Sequence, residues 1–371
     1  MNPYKAFQVA RLPEIRFGSG TFDDIPDVLA GYGREVLLVT GRRSLQDTPR
    51  WQHLIDALAA GGIRWRQVTV DGEPSPELVD DAVRKHHGID IDVVVGIGGG
   101  IVCDICGFVA STFLRGVRFG FVATTLLAQV DASVGGKNGV NFGGYKNMVG
   151  TFNQPEFVLC DLDLLRSLPE EQLQCGFAEI VKHAAIADAG MFEALEKDAE
   201  RALALDPMVI EGLVYDSLVI KSTIVNQDEK ETGERRKLNF GHTFGHAIEK
   251  VTGVPHGQAV SAGMVLAAGL SHQRGLITAS EKDRLCALLE QLNLPTGMTF
   301  DQDAVLLADD LSQPTEELRP VTLQIPRLGL EPGKLADMVI LESDPRDVDP
   351  VAISDIKVSE TWMDGKQVFE A

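Results

Sequence analysis

Three short apolar runs, Glu35–Thr40, Trp65–Val70 and Asp92–Ile97, alternate with two amphipathic stretches, Trp51–Ala60 and Pro76–His86, and the third run opens directly into Gly98-Gly99-Gly100. Apolar runs of this length predict strands, and the 3.6-residue periodicity between them predicts helices. Strands alternating with helices lead to a parallel sheet with helices packed over it. The glycine triplet adds a second constraint, because it sits between a strand and a helix. With no Cβ in the way, backbone N–H groups and the helix dipole can face a pyrophosphate there. Glycines at such turns also serve packing alone, so the triplet suggests a nucleotide without specifying one.

From about Pro169 to Leu294 the strand pattern gives way to helical periodicity, over Glu170–Ile186, Met191–Leu203, Val209–Gln227, His242–Val251, Ala259–Gly275 and Ala279–Leu292. The expected architecture is an α/β, Rossmann-like nucleotide-binding domain over residues 1–168 and an all-α metal and substrate domain over 169–327. A short β-rich appendage follows over 328–371, with strand candidates at Gly333–Leu341, Ile356–Ser359 and Val368–Phe369. A formal charge of −20 argues against nucleic acid or an anionic membrane surface as a general partner. An anionic substrate could be held only by gathering the chain's few cations in one place. No 18-residue apolar run could span a bilayer, and residues 1–20 lack a signal-peptide pattern, so the expected location is the cytoplasm. Five cysteines without framework spacing fit a reducing compartment. Cys103 and Cys106 form a C-x-x-C, read here as small apolar residues at a helix start.

Three of the eight histidines fall within the fifteen residues from His242 to His256. His242 and His246, spaced i,i+4, share one face of a helix, and His256 follows a Gly-Val-Pro turn that can bring it back beside that face. Zinc prefers neutral imidazole, and three protein ligands with an open position is a catalytic arrangement. A zinc-protease reading fails, because Thr243 stands where H-E-x-x-H needs its glutamate. Upstream, Thr124–Gly150 is rich in glycine and carries Asp131, Lys137, Lys146 and Asn147. Ammonium groups, amides and close-approaching backbone suit a phosphorylated, polyhydroxylated ligand. Leu126–Leu127 and Met148–Val149 should anchor this stretch as an ordered loop. Glu179, Lys182 and His183 fall on one helical face. Glu179 could complete a His₂Glu metal site with Lys182 facing substrate oxygen, or the pair could be an i,i+3 surface salt bridge.

Together these motifs make residues 93–300 resemble the 3-dehydroquinate synthase family of sugar phosphate cyclases. The resemblance rests on GGGIVCDICGF, the FLRG of Phe113–Gly116, TTLLAQVDASVGGK, YKNMVGTFNQP, GFAEIVKH, DEKETGER and LNFGHTFGHAIE with PHG. Residues 1–100, with FGSG at 17–20 and GEPSPELV at 72–79, resemble the iron-containing alcohol dehydrogenases more closely. Those enzymes share the two-domain fold. The tail is similar to the closing segment of amidohydrolase-superfamily enzymes, but contains no histidine to supply that superfamily's metal site.

The resemblance implies Glu179, His242 and His256 as ligands of zinc or cobalt, with His246 the proton-transferring histidine beside the metal. It implies Gly99, Gly100, Asp104, Thr124 and Thr125 at NAD, with Asp131, Lys137 and Lys146 reaching the cofactor as well. Asp131, Lys137, Asn147, Lys182, Lys221, Arg235 and Asn239 would line the pocket of a C7 sugar phosphate. Arg115 would reach a phosphate across a dimer interface, which implies a homodimer. The implied reaction oxidises a ring hydroxyl, eliminates phosphate, returns the hydride and closes the ring by an aldol step, a lyase reaction overall.

Three departures qualify this picture. Gly41, followed by Arg42-Arg43, stands where the family usually holds an acidic residue for the adenosine ribose, which leaves NADP open. Gln258 replaces a usual glutamate, and Ser312-Gln313-Pro314 stands where a lysine-containing stretch is expected. The last change implies a substrate other than the carboxylate-bearing heptulosonate phosphate, such as sedoheptulose 7-phosphate. Two other readings remain: a metal-dependent NAD(P) alcohol or polyol dehydrogenase, with Glu179 and His183 as its first metal ligands, and a catalytically inactive binding protein.

Overall fold

A computed structural model describes residues 13–72, 76–86, 88–142 and 145–298, together with three tail strands at 338–341, 358–363 and 366–370. The described residues fall into two compact units. One comprises those of Met1–Leu238 with Ala287–Leu294, and the other those of Asn239–Cys286 with Pro295–Ala371.

The first unit is organised by a six-stranded parallel sheet in the order β1 (Glu14–Phe17), β8 (Phe157–Cys160), β5 (Phe119–Ala123), β4 (Val93–Gly98), β2 (Glu35–Gly41), β3 (Arg64–Val70). Central strands β4 and β5 are buried along their whole length, as their unbroken apolar sequences require. Edge strand β3 alternates exposed and buried positions instead. Helices α1 (Ile25–Ala30), α2 (Pro49–Ala60), α3 (Pro76–His86) and α4 (Gly100–Thr112) connect the strands. On α2, Leu54 and Leu58 sit one turn apart and are 1% and 0% exposed, in a core with Leu38, Val95 and Ile97. Burying each such leucine contributes roughly 1.5–3 kcal/mol. Cys103 and Cys106 are buried in α4 and burial pushes both thiols up, so they behave as the small apolar residues the sequence suggests.

The glycine-rich stretch departs from the expected loop. It forms a π-helical turn over Ala128–Ala132 and then an antiparallel hairpin of β6 (Lys137–Phe142) and β7 (Tyr145–Phe152). Glycine and asparagine dilute the alternation that would have marked these strands. The unit is completed by three long helices, α5 (Glu170–Ala187), α6 (Ala189–Leu203) and α7 (Pro207–Gln227). Asp188 caps α6 through Met191 N at 2.9 Å, and Asp206 caps α7 through Met208 N at 3.1 Å, with Pro207 in the first turn.

Asp92, at the entrance to β4, accepts from Arg34 N at 2.7 Å and Glu35 N at 2.9 Å, and these bonds lower its pKa. A carboxylate depressed on folding contributes stability above its unfolded value, near 3.9, and loses it as pH falls through the folded value. Asp92→Asn should therefore lower stability at pH 7 by on the order of 1 kcal/mol. Urea titrations at pH 7 and pH 3 check this: the gap between the variant and the parent should narrow in acid.

The second unit contains α8 (His242–Thr252) and α9 (His256–Gln273), and α10 (Ala279–Gln291) is divided between the two units at Cys286. Its helices approach backbone to backbone. A Cβ on Gly263 would lie 2.0 Å from Gly241 O, and one on Gly245 would lie 3.1 Å from Val260 Cα. Gly253, at φ 69°, ends α8 in the left-handed conformation and bonds back to Glu249 O at 2.8 Å. Pro255 then starts α9 at His256. The tail strands β9 (Met338–Leu341), β10 (Val358–Met363) and β11 (Lys366–Glu370) pair antiparallel in the order β11-β10-β9.

Candidate active site

The connections of the parallel sheet make a crevice. From β2 the chain moves outward to β3, then returns to the other side of β2 and moves outward again through β4, β5 and β8. Ligands of open α/β sheets bind where the strand order reverses, at the carboxyl ends of the strands. Here those ends carry Gly41 and Gly98, one step beyond the paired Thr40 and Ile97. A Cβ on Gly98 would stand 2.5 Å from Val102 in the first turn of α4, and one on Gly99 would stand 3.0 Å from Thr125. No side chain caps α4, so the N–H groups of its first turn face outward for an anion. Thr124 N donates to Gly98 O at 2.9 Å, and Thr125 Oγ1 accepts from Ala128 N at 3.1 Å. Gly99, Gly100, Thr124 and Thr125 thus meet at one strand-end cradle, with Asp104 one turn along α4. This geometry fits a dinucleotide pyrophosphate.

A second constellation lies between the π turn, α5 and α7. Residues Cys175–Ala184 of α5 are buried on every side, so Glu179 and His183 are 0% exposed and Lys182 is 1%. Gly176 makes this possible, since a Cβ there would overlap Leu126 at 2.3 Å. Lys221 of α7 donates to Asp131 Oδ1 at 2.7 Å and also to the Asp131 carbonyl. Lys182 pairs with Glu179 and lies 3.7 Å from Asp131 Oδ1. Burial opposes charge on Asp131, yet Lys221 and Lys182 outweigh it and hold the carboxylate well below its usual range. Burial likewise opposes charge on Lys182, but Glu179 and Asp131 keep it protonated and raise its pKa. Lys221 is lowered, by burial first, with Asp131 opposing the shift. Burial also lowers His183, whose Nε2 is 3.7 Å from Asp131. Asp131, Glu179 and His183 bring ligand atoms within 4.8 Å of one another. Two ammonium groups already engage both carboxylates, so with Lys182 and Lys221 they form an ion-pair network. The alternative of a solvated surface bridge for Glu179 and Lys182 is overturned, because both are buried.

The third constellation belongs to the second unit. The imidazole centroids of His242 and His246 are 5.2 Å apart, those of His242 and His256 are 5.4 Å apart, and those of His246 and His256 are 6.2 Å apart. Close packing through Gly245 and Gly263, with the turn at Gly253, brings His256 back to the α8 histidines. His256 Nδ1 lies 3.1 Å from Glu249 Oε2. A histidine held through Nδ1 by a carboxylate is oriented to offer Nε2 to a metal. The donor chemistry fits a borderline-soft divalent ion.

The remaining residues are dispersed. Lys137 is half-exposed and pairs with Glu231. Asn147, at φ 51°, is exposed near the hairpin tip, its N–H bonded to Asn141 Oδ1 at 2.9 Å. Arg235 is buried and donates to Gly135 O at 2.7 Å and Glu229 O at 2.6 Å, holding the glycine turn before β6. Asn239 is half-buried at the end of a 3₁₀ turn. Arg115 is exposed at φ 70°. The Lys146 side chain and Ser312-Gln313-Pro314 lie outside the described residues. Sequence reasoning passed over two groups. Glu249 is three residues beyond His246 on the same helical face, a spacing that could have revealed it. Glu231, in the charged stretch DEKETGER, is 17% exposed and pairs with Lys137.

Comparison with known proteins adds to this geometry. Residues 75–175 match the model for the 3-dehydroquinate synthase N-terminal domain and residues 176–312 that for the 3-dehydroquinate synthase C-terminal domain. Residues 322–369 match the amidohydrolase family. The chain is 40% identical over 316 residues to a 3-dehydroquinate synthase of Acinetobacter baylyi, covering 80% of this chain and 86% of that protein. Among solved structures it is similar in fold to a 2-epi-5-epi-valiolone synthase of Streptomyces hygroscopicus with NAD⁺ and Zn²⁺ bound. That match has a TM-score of 0.75 at 24% identity, covering 95% of this chain and 98% of the other. An iron-containing alcohol dehydrogenase matches with a TM-score of 0.64 at 18% identity, over 81% and 90% of the two chains.

Proposed function

This chain belongs to the 3-dehydroquinate synthase family, and from that premise we propose that it is an NAD- and zinc-dependent lyase that eliminates phosphate from a C7 sugar phosphate and closes the carbon ring. The observation that carries the reading is the buried Asp131–Lys182–Glu179–Lys221 network. A neutral alcohol needs no such concentration of cations, whereas a phosphorylated substrate does.

Gly99, Gly100, Thr124 and Thr125 would hold the dinucleotide, with Asp104, Asp131, Lys137 and Lys146 toward it. Glu179, His242 and His256 would hold the divalent metal. When bound, these groups supply reversible hydride uptake and polarisation of the hydroxyl that is oxidised. The chain's own residues do the rest. His246 exchanges protons with the substrate, at an imidazole whose ordinary pKa suits transfer near neutral pH. Lys182 answers both Glu179 and Asp131, so engagement of Glu179 elsewhere leaves its ammonium to an anionic substrate. Lys221 stays anchored on Asp131 and presents positive charge without a flexible search. Asn147, Arg235 and Asn239 complete the contacts to hydroxyls and phosphate. Arg115, exposed at its turn, serves the site of a partner protomer in a homodimer. No helix among the described residues is long and apolar enough to cross a membrane.

Because the hydride is returned each cycle, substoichiometric dinucleotide should support many turnovers. Phosphate release on 3-deoxy-D-arabino-heptulosonate 7-phosphate and on sedoheptulose 7-phosphate, followed alongside absorbance at 340 nm, tests this. The expected result is sustained phosphate release on one of them with no accumulation of reduced cofactor. Stoichiometric accumulation would support the dehydrogenase reading instead.

A further inference from the structure

We propose that the adenosine end of the dinucleotide site is built for a 2′-phosphate, so that this chain binds NADP at least as tightly as NAD; the inference rests on the dinucleotide reading given above. Gly41 ends β2 on the same crevice that Gly98 ends from β4, because Thr40 and Ile97 are paired across the two strands. A pyrophosphate at the start of α4 places the attached adenosine ribose toward the end of a neighbouring strand. Selectivity for the unphosphorylated ribose comes from a carboxylate there, which binds the diol and repels a phosphate, whereas arginine accommodates the phosphate. Here the strand ends in glycine and continues Arg42-Arg43-Ser44, all three exposed.

The turn is built, not loose. Thr40 is 0% exposed, and its hydroxyl accepts from Gln46 Nε2 at 3.1 Å and from Gln67 Nε2 at 2.8 Å. The same Gln46 amide donates to Gly41 O at 3.1 Å, and Asp47 N closes the turn on Arg43 O at 3.0 Å. The Gln46 amide and the Gln67 amide, through Thr40 and Gly41, therefore hold the strand end that leads into both arginines. Arg42 Nη1 is drawn over the end of β3 by Asp71 at 2.6 Å. That pair is 61% and 66% exposed, so it orients the guanidinium weakly and exchanges readily for a stronger anion. The nearby carboxylate is thus already engaged by arginine, and the strand end itself offers none. In a chain of net charge −20, two adjacent arginines at the ribose end of the crevice are a local exception to the surrounding field.

Calorimetric titration of the full-length chain with NADP⁺, NAD⁺ and 2′,5′-ADP decides the matter without reference to turnover. NADP⁺ should bind with a Kd no higher than that of NAD⁺, and 2′,5′-ADP should compete with it. Arg42→Ala with Arg43→Ala should raise the NADP⁺ Kd by about 10- to 150-fold, the loss expected for one to two charge-assisted bonds, and leave NAD⁺ within about threefold. Gly41→Asp should reverse the preference by at least about tenfold. A Cβ at this position meets only Ser44 Oγ, at 3.5 Å, so the substitution fits the fold. An NAD⁺ Kd at least about tenfold below that of NADP⁺ in the parent chain overturns the proposal while leaving the dinucleotide reading intact. An unchanged NADP⁺ Kd in the double variant overturns it as well. Binding of neither dinucleotide overturns both.

Discussion

Replacing His242 or His256 with alanine should leave the purified chain without its divalent metal, while His246→Ala should retain the metal and lose about 10²–10⁴-fold in kcat, the usual contribution of a positioned acid–base group. The three imidazoles form one cluster, but their surroundings differ. His256 is oriented through Nδ1 by Glu249 at 3.1 Å, and His242 Nδ1 lies 3.4 Å from Phe240 O, so both have the second contact that typically fixes a metal-binding imidazole. His246 shares the helical face of His242, as a group that moves protons beside a metal must. Glu249→Gln should keep the fold and weaken metal affinity by about 10- to 100-fold, because only the orienting charge is lost. Glu179→Gln should weaken it as well. Elemental analysis of the dialysed variants supplies the readout. Full zinc in both the His242 and His256 variants would remove those residues from the ligand set, and loss of zinc in His246→Ala would place that histidine among the ligands.

Much of this arrangement was legible before any coordinates. Alternating apolar runs marked β2, β3 and β4 and the helices between them, because parallel strands buried on both faces have few alternatives. The long helices were read to within a few residues at each end, since their caps are ordinary Asp, Pro and Gly signals. The β6–β7 hairpin was missed because Gly135, Gly136, Gly139 and Gly150 interrupt its pattern. Those glycines answer to tertiary approach: a Cβ on Gly136 would meet the Gln154 amide at 2.9 Å, and one on Gly150 would meet Asn138 O at 2.7 Å. The histidine cluster was visible because its spacing is local. The partners of Lys221 and Lys137 were not, because Asp131 and Glu231 are 90 and 94 residues away in sequence. Sequence periodicity reports which face of an element is buried, but not which distant charge it will meet there.

Asp131→Ala should destabilise the first unit by about 3 kcal/mol, at the low end of the range for breaking a buried ion pair. Lys221 is 6% exposed and has Asp131 as its carboxylate partner, while the Asp131 side chain keeps 24% exposure, which trims the expected loss. Lys182 loses less, because Glu179 remains beside it. The buried ammonium of Lys221 would then face desolvation with the Asp131 carbonyl still beside it, and it should shed its proton or draw in water. Lys221→Met should cost a similar amount by leaving Asp131 with the more distant Lys182 at 3.7 Å. Combining the two removes the mismatch, since apolar replacement of both members of a buried pair is often close to neutral. The double variant should therefore be more stable than the sum of the single losses allows, with a coupling of about 2 kcal/mol or more in a double-mutant cycle. Urea midpoints with hydrogen exchange on α5 and α7 measure it independently of activity. Additive losses would show that the two side chains do not depend on each other, and the network would no longer explain how two buried lysines are kept charged.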